Sequence, residues 1–306
     1  MKRIVIAGGA GLIGRALAAE MITAGYEVIV LSRQPEQVDG LPQGARAEKW
    51  DGRTVAGWST LIQADTTLVN LAGASIGSPP LPWTPARKSR IRESRLNAGR
   101  AIVEAIRAAR EKPRALIQAS AIGYYGLRGD ETLTEKNSAG ADFLSQVGVD
   151  WEASTAAVEP LGVRRAIIRT GVVLSARGGA LPLLALPVRW FAGGPLGSGR
   201  QWISWIHLAD QVGAIRFLIE NENARGAFNL SAPQPVTNLE MVRALGRVLR
   251  RPVWLPVPGW ALKFALGELA ELLLLGGQRV APERLQQLGY AFRFAEVDAA
   301  LRDLLG

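Results

Sequence analysis

The chain has 306 residues, of which 48% are hydrophobic and 21% charged, a composition typical of a globular protein with a large core. Because it contains no cysteine and a single histidine, disulfide bonds, thiolate metal ligands and histidine-rich metal centres are excluded, and we expect no bound metal. The net charge of +9 is spread along the chain, with little aromatic interleaving in the densest basic stretch, residues 86–100. We therefore expect no nucleic-acid partner, and such a partner is only the third interpretation of this charge.

Two apolar segments bear on the question of a membrane. The N-terminal stretch MKRIVIAGGAGLIGRALA begins like a signal peptide, but it carries four glycines within seven residues and an internal Arg15. Residues 259–277 are too few and, with Lys263, Glu268 and Glu271, too charged for a membrane span. We expect a cytoplasmic protein that does not bind a membrane.

In the first two-thirds of the chain, short apolar runs alternate with segments of helical character. Strands are predicted at 3–8, 27–32, 66–73, 114–120 and 164–174, with helices over 11–25, 87–110 and 142–158 between them. Continuous apolar strands separated by helices are typical of a parallel sheet covered on both faces. The predicted fold class is therefore α/β, a Rossmann-type doubly wound parallel sheet.

The amino-acid composition changes after Gly171. Residues 176–201 are rich in glycine and proline, and the tail from about residue 238 is mainly helical. We predict one Rossmann-type domain formed by 1–170 plus 206–232. Residues 171–205 plus 233–306 would form a smaller, mainly helical substrate lobe at the C-terminal side.

A glycine-rich turn, AGGAGLIG at 7–14, directly follows the first strand and opens the first helix. Gly8 permits the tight turn, Gly11 lets a pyrophosphate approach the backbone, and Gly14 allows the helix to pack closely on the strand. The pyrophosphate would lie against the helix N-terminus at Leu12 and Ile13, where free N–H groups favour negative charge. This pattern predicts a dinucleotide site.

The second strand ends in Ser32 and Arg33 rather than in an acidic residue. An acidic residue there usually holds the ribose 2′-hydroxyl of NAD, whereas a hydroxyl and a guanidinium suit the 2′-phosphate of NADP. The expected cofactor is therefore NADP (NADPH).

The glycine spacing, NLAG (70–73), SAIGYYG (120–126) and WIHLADQV (205–212) together resemble the extended short-chain dehydrogenase/reductases, the relatives of nucleotide-sugar epimerases and dehydratases. Further motifs resemble an atypical branch of these proteins, the NAD(P)-dependent epimerase family proteins, which have their own C-terminal domain. Those motifs are WT…RK…IR.SR (83–95), DWEA (150–153), RTGVVLS.RGGAL (169–181), GGPLGSGRQWISWIH (193–207) and APERLQQLGYAFRF (281–294). One departure is Ala74, where relatives often have Glu.

The resemblance implies further cofactor contacts. Adenine or ribose contacts fall near Leu71, Ala72 and Gly73, and Val172 falls near the nicotinamide end. Arg95 takes a helix position where the wider superfamily often has a cofactor-proximal Asn, although it equally fits an exposed helix arginine. In many relatives the helices corresponding to 87–110 and 142–158 pair across a two-fold axis, which implies a homodimer.

The acid–base pair of most relatives, a tyrosine with a lysine four residues later, is absent. None of the four tyrosines has a lysine at that spacing. Phe143, Val147 and Trp151 recur every four residues instead, which predicts an apolar stripe facing the core.

Three explanations stay open for the missing pair. Ser120 with Tyr124 or Tyr125 could serve as the catalytic group, because these residues follow a strand at the edge of the sheet where ligands bind. Alternatively, the substrate itself or His207, whose ordinary pKa is about 6.5, supplies the proton. In the third explanation the fold binds NADP(H) without catalysis.

The substrate end is less defined by the sequence. Trp202 and His207 are the candidate substrate contacts, while Trp190 and Phe191 fit either a pocket wall or the core. The sequence favours an NADP-dependent oxidoreductase or epimerase that acts on a small carbonyl or hydroxyl compound. The alternative function is a non-catalytic NADP(H)-binding sensor or scaffold.

Overall fold

A computed structural model describes residues 2–38, 40–77 and 83–306. The strands of the described residues, in chain order, are β1 (Arg3–Ala7), β2 (Glu27–Ser32), β3 (Ala45–Lys49), β4 (Thr66–Asn70), β5 (Ala115–Ala121), β6 (Thr132–Leu133), β7 (Arg164–Thr170), β8 (Val172–Leu174), β9 (Trp202–Ile203), β10 (Trp205–His207), β11 (Gly226–Leu230), β12 (Val236–Thr237) and β13 (Arg279–Val280). Seven of them form one parallel sheet in the order β3–β2–β1–β4–β5–β7–β11. The order reverses direction at β1, so the crevice between the loops after β1 and β4 is where this fold binds ligands.

The helices of the described residues are α1 (Leu12–Thr23), α2 (Pro85–Ala108), α3 (Phe143–Ala153), α4 (Ala180–Arg189), α5 (Leu208–Glu220), α6 (Asn238–Leu249), α7 (Gly259–Leu266), α8 (Glu283–Gln287) and α9 (Val297–Leu305). Shorter 3₁₀ turns lie at Pro35–Gln37, Ser59–Leu61, Ile122–Tyr125 and Ala156–Leu161, with a π-helical turn at Ala270–Leu274. Within the described ranges, no helix combines the length and the apolar character needed to cross a membrane.

Helices cover both faces of the sheet because its strands are apolar on both sides. Ile4 and Ile6 of β1 belong to a core cluster with side chains of α1 and α5, whereas Val5 and Ala7 belong to a second cluster with side chains of α2. The alternation follows from the two-residue period of a strand. The α/β class and the doubly wound parallel sheet are thereby confirmed.

The smaller, mainly helical region has a third core cluster of its own. Leu181 of α4, Met241 of α6 and Leu301 of α9 are fully buried in it. The division into 1–170 plus 206–232 and 171–205 plus 233–306 stays a prediction.

Two predicted elements differ from the structure. The strand expected over 164–174 breaks at Gly171, where a Cβ atom would lie 2.5 Å from the Ser204 carbonyl oxygen, and its second half pairs with β10 in a separate two-stranded sheet. The helix expected over 142–158 ends at Ala153 and is followed by a 3₁₀ turn that contains Pro160. Both differences depend on close contacts or local geometry that hydrophobic periodicity does not encode.

Candidate active site

A cavity of about 670 Å³ lies at the carboxyl edge of the central sheet. Its lining includes Gly8 after β1, Leu71 after β4, Ala121 at the end of β5 and Thr170 at the end of β7. The opposite wall comes from the smaller region, through α4, β9 and the π-helical turn. The cavity is therefore where a doubly wound sheet and its second region meet, the usual ligand site of this architecture.

The glycine turn forms one wall of the cavity, with Gly8, Gly11, Leu12, Ile13 and Gly14 all in the lining. Gly8 has a φ of +78°, a conformation that L side chains rarely adopt, and a Cβ at Gly14 would lie 2.4 Å from the Cα of Gly9. At Gly11 a Cβ would meet only the Gly8 carbonyl oxygen, at 3.4 Å. The fold thus requires the first and third of these glycines, whereas the second leaves space on the cavity side.

Helix α1 begins at this turn without a capping side chain. Its N-cap is Gly11, and its first turn contains no acidic residue. The first N–H groups of a helix have no intrahelical acceptor and carry partial positive charge. The cavity wall is therefore suited to an anionic group.

Ser32 ends β2 and Arg33 directly follows it, both outside the residues that line this cavity. Arg33 is exposed, and the Ser32 hydroxyl accepts a hydrogen bond from the Gln34 N–H at 3.2 Å. Ala72 and Gly73 also lie outside the lining, directly after Leu71.

Arg95 of α2 reaches the cavity and lies against Gly73. Its Nη1 donates to the Ala74 carbonyl at 3.0 Å and to the Ile91 carbonyl at 2.8 Å, while its guanidinium lies 4.6 Å from the centre of the Trp151 ring. Among the described residues, no carboxylate pairs with it. Burial lowers the pKa of Arg95 to about 10, so it is still a cation at neutral pH.

Helix α3, on which the family resemblance led us to look for an acid–base pair, supplies another wall of the cavity. Val147 and Trp151 line the cavity, and Phe143 packs edge-on against Trp83 at 5.5 Å between ring centres. The predicted apolar stripe is therefore present, and part of it faces the cavity. Among the described lining residues, Arg95 is the only one with an ionisable side chain.

Ser120 and Tyr125 belong to a buried polar network rather than to the cavity lining. The Ser120 hydroxyl donates to Glu152 Oε1 at 2.7 Å, and Arg169 donates to both carboxylate oxygens of Glu152 at 2.8 and 2.9 Å. The Tyr125 hydroxyl donates to Asn229 Oδ1 at 2.7 Å and accepts from Arg169 at 3.1 Å. Each polar group in this chain of contacts has a partner, which is the usual condition for burying it.

Both Tyr125 and Arg169 in this network have pKa values above their ordinary values. Burial raises the pKa of Tyr125, opposed by the charge of Arg169. Burial alone would lower the pKa of Arg169, but hydrogen bonding to Glu152 and the charge of that carboxylate outweigh it and raise the pKa. Tyr124 packs its ring 3.5 Å from the Arg169 guanidinium and 5.4 Å from the Tyr125 ring. The three predicted catalytic residues thus surround Arg169.

The sequence did not identify Glu152 and Arg169 as candidate site residues. Glu152 lies in DWEA and Arg169 begins RTGVVLS, so both fall within the motifs that carried the family resemblance. Their pairing across 17 residues could not be read from either motif.

The two predicted substrate residues lie apart. Trp202 lines the cavity, and its Nε1 donates to Asp130 Oδ1 at 2.7 Å. His207 is buried outside the lining, where its Nδ1 accepts from the Ala209 N–H at 3.0 Å and caps α5, and its Nε2 lies 3.1 Å from Asp303. Its ring packs 4.0 Å from that of Phe294. The structure therefore gives His207 a capping position instead of a place beside Trp202.

The sequence of the sheet region matches a known family. Residues 4–231 fit the NAD dependent epimerase/dehydratase family. The chain belongs to this family. Residues 257–304 fit a second description, a domain of unknown function (DUF1731).

Individual relatives match over nearly the whole chain. Epimerase family protein YfhF of Bacillus subtilis (strain 168) is 38% identical over 303 residues, covering 99% of this chain and 97% of that protein. The chloroplastic epimerase family protein SDR39U1 homolog of Arabidopsis thaliana is 39% identical over 307 residues, covering 99% and 86%. The crystal structure of human epimerase family protein SDR39U1 (isoform2) with NADPH has a TM-score of 0.88 at 32% identity, covering 99% and 98%. The resemblance predicted from the motifs is confirmed.

Proposed function

We propose that this family member binds NADP(H) in the cavity and acts as an oxidoreductase or epimerase on a small carbonyl or hydroxyl compound. The observation that carries the proposal is the cavity itself, where the glycine turn and the uncapped N-terminus of α1 face a second wall from the smaller region. A dinucleotide needs the first wall, and a substrate needs the space between the two.

The described residues fit the dinucleotide. Gly8, Gly11, Leu12, Ile13 and Gly14 would hold the pyrophosphate against the N–H groups of α1, because Gly11 leaves the approach open. The loop residues Leu71, Ala72 and Gly73 would contact the adenine or its ribose, and Val172 would lie at the nicotinamide end. When bound, NADP(H) supplies or accepts a hydride.

We assign the preference for the phosphorylated cofactor to Ser32 and Arg33 at the end of β2. The exposed Arg33 side chain is free to turn toward a 2′-phosphate, and the hydroxyl of Ser32 adds a second donor. The human relative solved with NADPH supports this choice.

Arg95 takes the electrostatic role in this proposal. When a carbonyl accepts hydride, negative charge develops on its oxygen, and a cation in a water-poor cavity stabilises that charge strongly. Arg95 is the ionisable side chain that the described lining offers, and its two backbone contacts hold the guanidinium in place. Ser120, Tyr124 and Tyr125 act through the network around Arg169, which fixes the strand end beside the cavity.

Titration of the purified protein with NADPH and NADH by calorimetry tests the proposal. We expect Arg33→Ala to weaken NADPH binding about ten- to a hundredfold, the value of a charge-assisted contact, and to leave NADH binding unchanged. Arg100→Ala is the matched control, because Arg100 is an exposed arginine of α2. Absence of binding by either nucleotide at micromolar concentration would refute the proposal.

A binding protein without turnover is the second candidate function. It is favoured by the same lining, in which no carboxylate, imidazole, amine or phenol appears among the described residues. Tight NADPH binding, combined with no oxidation of NADPH across a panel of aldehydes and ketones, would support this candidate over the enzyme.

A further inference from the structure

Exposed apolar side chains of the described residues gather in two segments, 183–191 and 254–264. Eight of the nine large hydrophobic side chains that are exposed belong to these segments. We call them the aromatic surface: Leu183, Leu186, Trp190, Phe191, Trp254, Leu255, Trp260 and Phe264. Trp190 and Phe191, which the sequence assigned to a pocket or the core, lie in neither.

Direct contacts bring the two segments together where Phe191 meets Trp254. Trp254 Nε1 donates to the Phe191 carbonyl at 3.0 Å, and a backbone bridge links Gly193 to Val253. The indole of Trp254 is thus held in a fixed position although its ring is exposed to solvent. Three exposed tryptophans and two exposed phenylalanines in two adjoining segments exceed the isolated exposed apolar residues that are normal for a globular protein.

Helix α7 contributes no buried residue to the protein. Its sequence, GWALKFAL, is almost entirely apolar, and Trp260 and Phe264, one turn apart, are 75% and 92% exposed. A helix that is apolar nearly all round is normally buried in a core or a membrane. The arrangement therefore indicates a partner for α7 outside this chain.

Backbone conformation also marks this surface. Within the described residues, Phe191 and Arg250 are the non-glycine positions with positive φ, at 61° and 54°. Arg251 places its guanidinium 4.5 Å from the centre of the Phe191 ring. A bulky aromatic residue in the left-handed region is unfavourable and tends to persist where function requires its placement.

The stretches of sequence that contain the aromatic surface carry only basic charges. Residues 160–209 and 241–267 contain no Asp or Glu, while Arg189, Arg250, Arg251 and Lys263 lie within or beside the aromatic surface. Lys263 forms an exposed ion pair with Glu271 at 3.3 Å. The net positive charge beside the aromatic surface therefore comes from the three arginines. The aromatic surface therefore has a basic border.

We propose that the aromatic surface docks on the surface of an anionic lipid bilayer. Indole and phenyl rings would enter the headgroup region, and the bordering arginines would contact lipid phosphates. A second copy of the chain fits less well, because a two-fold interface would bring the same arginines against one another. The expectation of no membrane partner rested on segments long enough to span a bilayer, a criterion that does not bear on a helix lying on its surface.

Sedimentation of the full chain with lipid vesicles tests the proposal. We expect binding to vesicles of mixed phosphatidylcholine and phosphatidylglycerol, weak binding to pure phosphatidylcholine, and release at high salt. The double variant Trp260→Ala/Phe264→Ala should weaken binding about tenfold or more. Arg189→Gln and Arg251→Gln should each weaken it about fivefold.

Leu127→Ala and Arg100→Gln are the matched controls, since Leu127 is exposed but outside the aromatic surface and Arg100 lies on α2. Should the double variant lose its fold, seen as a lowered melting temperature, the two arginine variants decide the result. The proposal is overturned if anionic vesicles do not retain the protein, or if the surface variants sediment like the controls. A dimer in solution that dissociates on Trp260→Ala/Phe264→Ala, without vesicle binding, would assign the aromatic surface to a second copy instead.

Discussion

Arg95 is held by two carbonyl groups and an indole ring, but by no carboxylate of the described residues. A desolvated cation without a counter-ion is costly to bury, and such costs are usually retained at sites that bind a ligand. We expect Arg95→Met to leave the free energy of unfolding unchanged or to raise it by about 1 kcal/mol, while ligand binding in the cavity weakens. Denaturant unfolding and NADPH titration measure the two effects.

Arg92→Met is the control for Arg95→Met, because Arg92 is an exposed residue of the same helix that pairs with Asp150 at 2.7 Å. Its stability change should stay within about 1 kcal/mol. A loss of more than about 2 kcal/mol in Arg95→Met, the range of a disrupted buried contact, would show that the arginine is structural.

Glu152 carries the buried ion pair with Arg169, and removing its charge leaves that arginine uncompensated. We expect Glu152→Gln to lower the free energy of unfolding by about 3–5 kcal/mol. Glu159→Gln, which breaks the pair with Arg165 at a carboxylate that is half exposed, should cost about 1 kcal/mol or less. Equal losses in the two variants, measured by thermal or denaturant unfolding, would contradict the assigned difference in burial.

A variant of Tyr125 shows whether this residue stabilises the buried network or takes part in catalysis. Tyr125→Phe removes a hydroxyl from Asn229 and Arg169, so we expect a loss of about 1–3 kcal/mol in unfolding free energy and unchanged NADPH affinity. The opposite pattern, with stability kept and turnover of an identified substrate lost, would place this hydroxyl among the reacting groups.

At the scale of elements, the junction between β1 and α1 depends on close backbone packing. A Cβ at Gly14 would lie 2.4 Å from the Cα of Gly9, so Gly14→Ala must displace the start of α1. We expect it to destabilise the protein by about 3 kcal/mol and to abolish dinucleotide binding. Gly25→Ala, at φ +79° with no heavy atom within 4 Å, should cost only about 1–2 kcal/mol and leave binding intact. Calorimetric titration and unfolding compare the two variants, and a Gly14→Ala protein that still binds NADPH would contradict this account.

Elements were more predictable from the sequence than their contacts. Strands β1, β2, β4, β5 and β7 of the central sheet and the turn at Gly8 follow from local sequence patterns, because apolar runs and glycine spacing act over a few residues. The network from Ser120 to Asn229 joins residues up to 104 positions apart, and no periodic signal relates them. The edge strand Ala45–Lys49 also went unpredicted, because its residues are only partly buried or exposed and its sequence, ARAEK, has little apolar character.

At the scale of the whole molecule, the chain has a single histidine, so the contribution of histidine to the pH dependence of stability can be assigned to one residue. Burial lowers the pKa of His207 from its ordinary value of 6.5, against the charges of Asp303 and Asp210 and together with that of Arg293. The neutral imidazole is favoured in the folded state, and it is the form that caps α5 through Nδ1. Its stabilisation is therefore fully present above pH 6.5 and is lost as the pH falls through the lowered pKa.

The contribution of His207 to the free energy of unfolding should fall as the pH is lowered from about 7 to about 5. Glu135 acts in the opposite direction, because burial raises its pKa and favours the protonated form in the folded state. His207→Asn keeps a capping acceptor but removes the titrating ring, and Glu135 is unchanged in it. The difference between wild type and His207→Asn therefore isolates the histidine. A pH profile with the same slope in both proteins would show that His207 does not couple protonation to the stability of the fold.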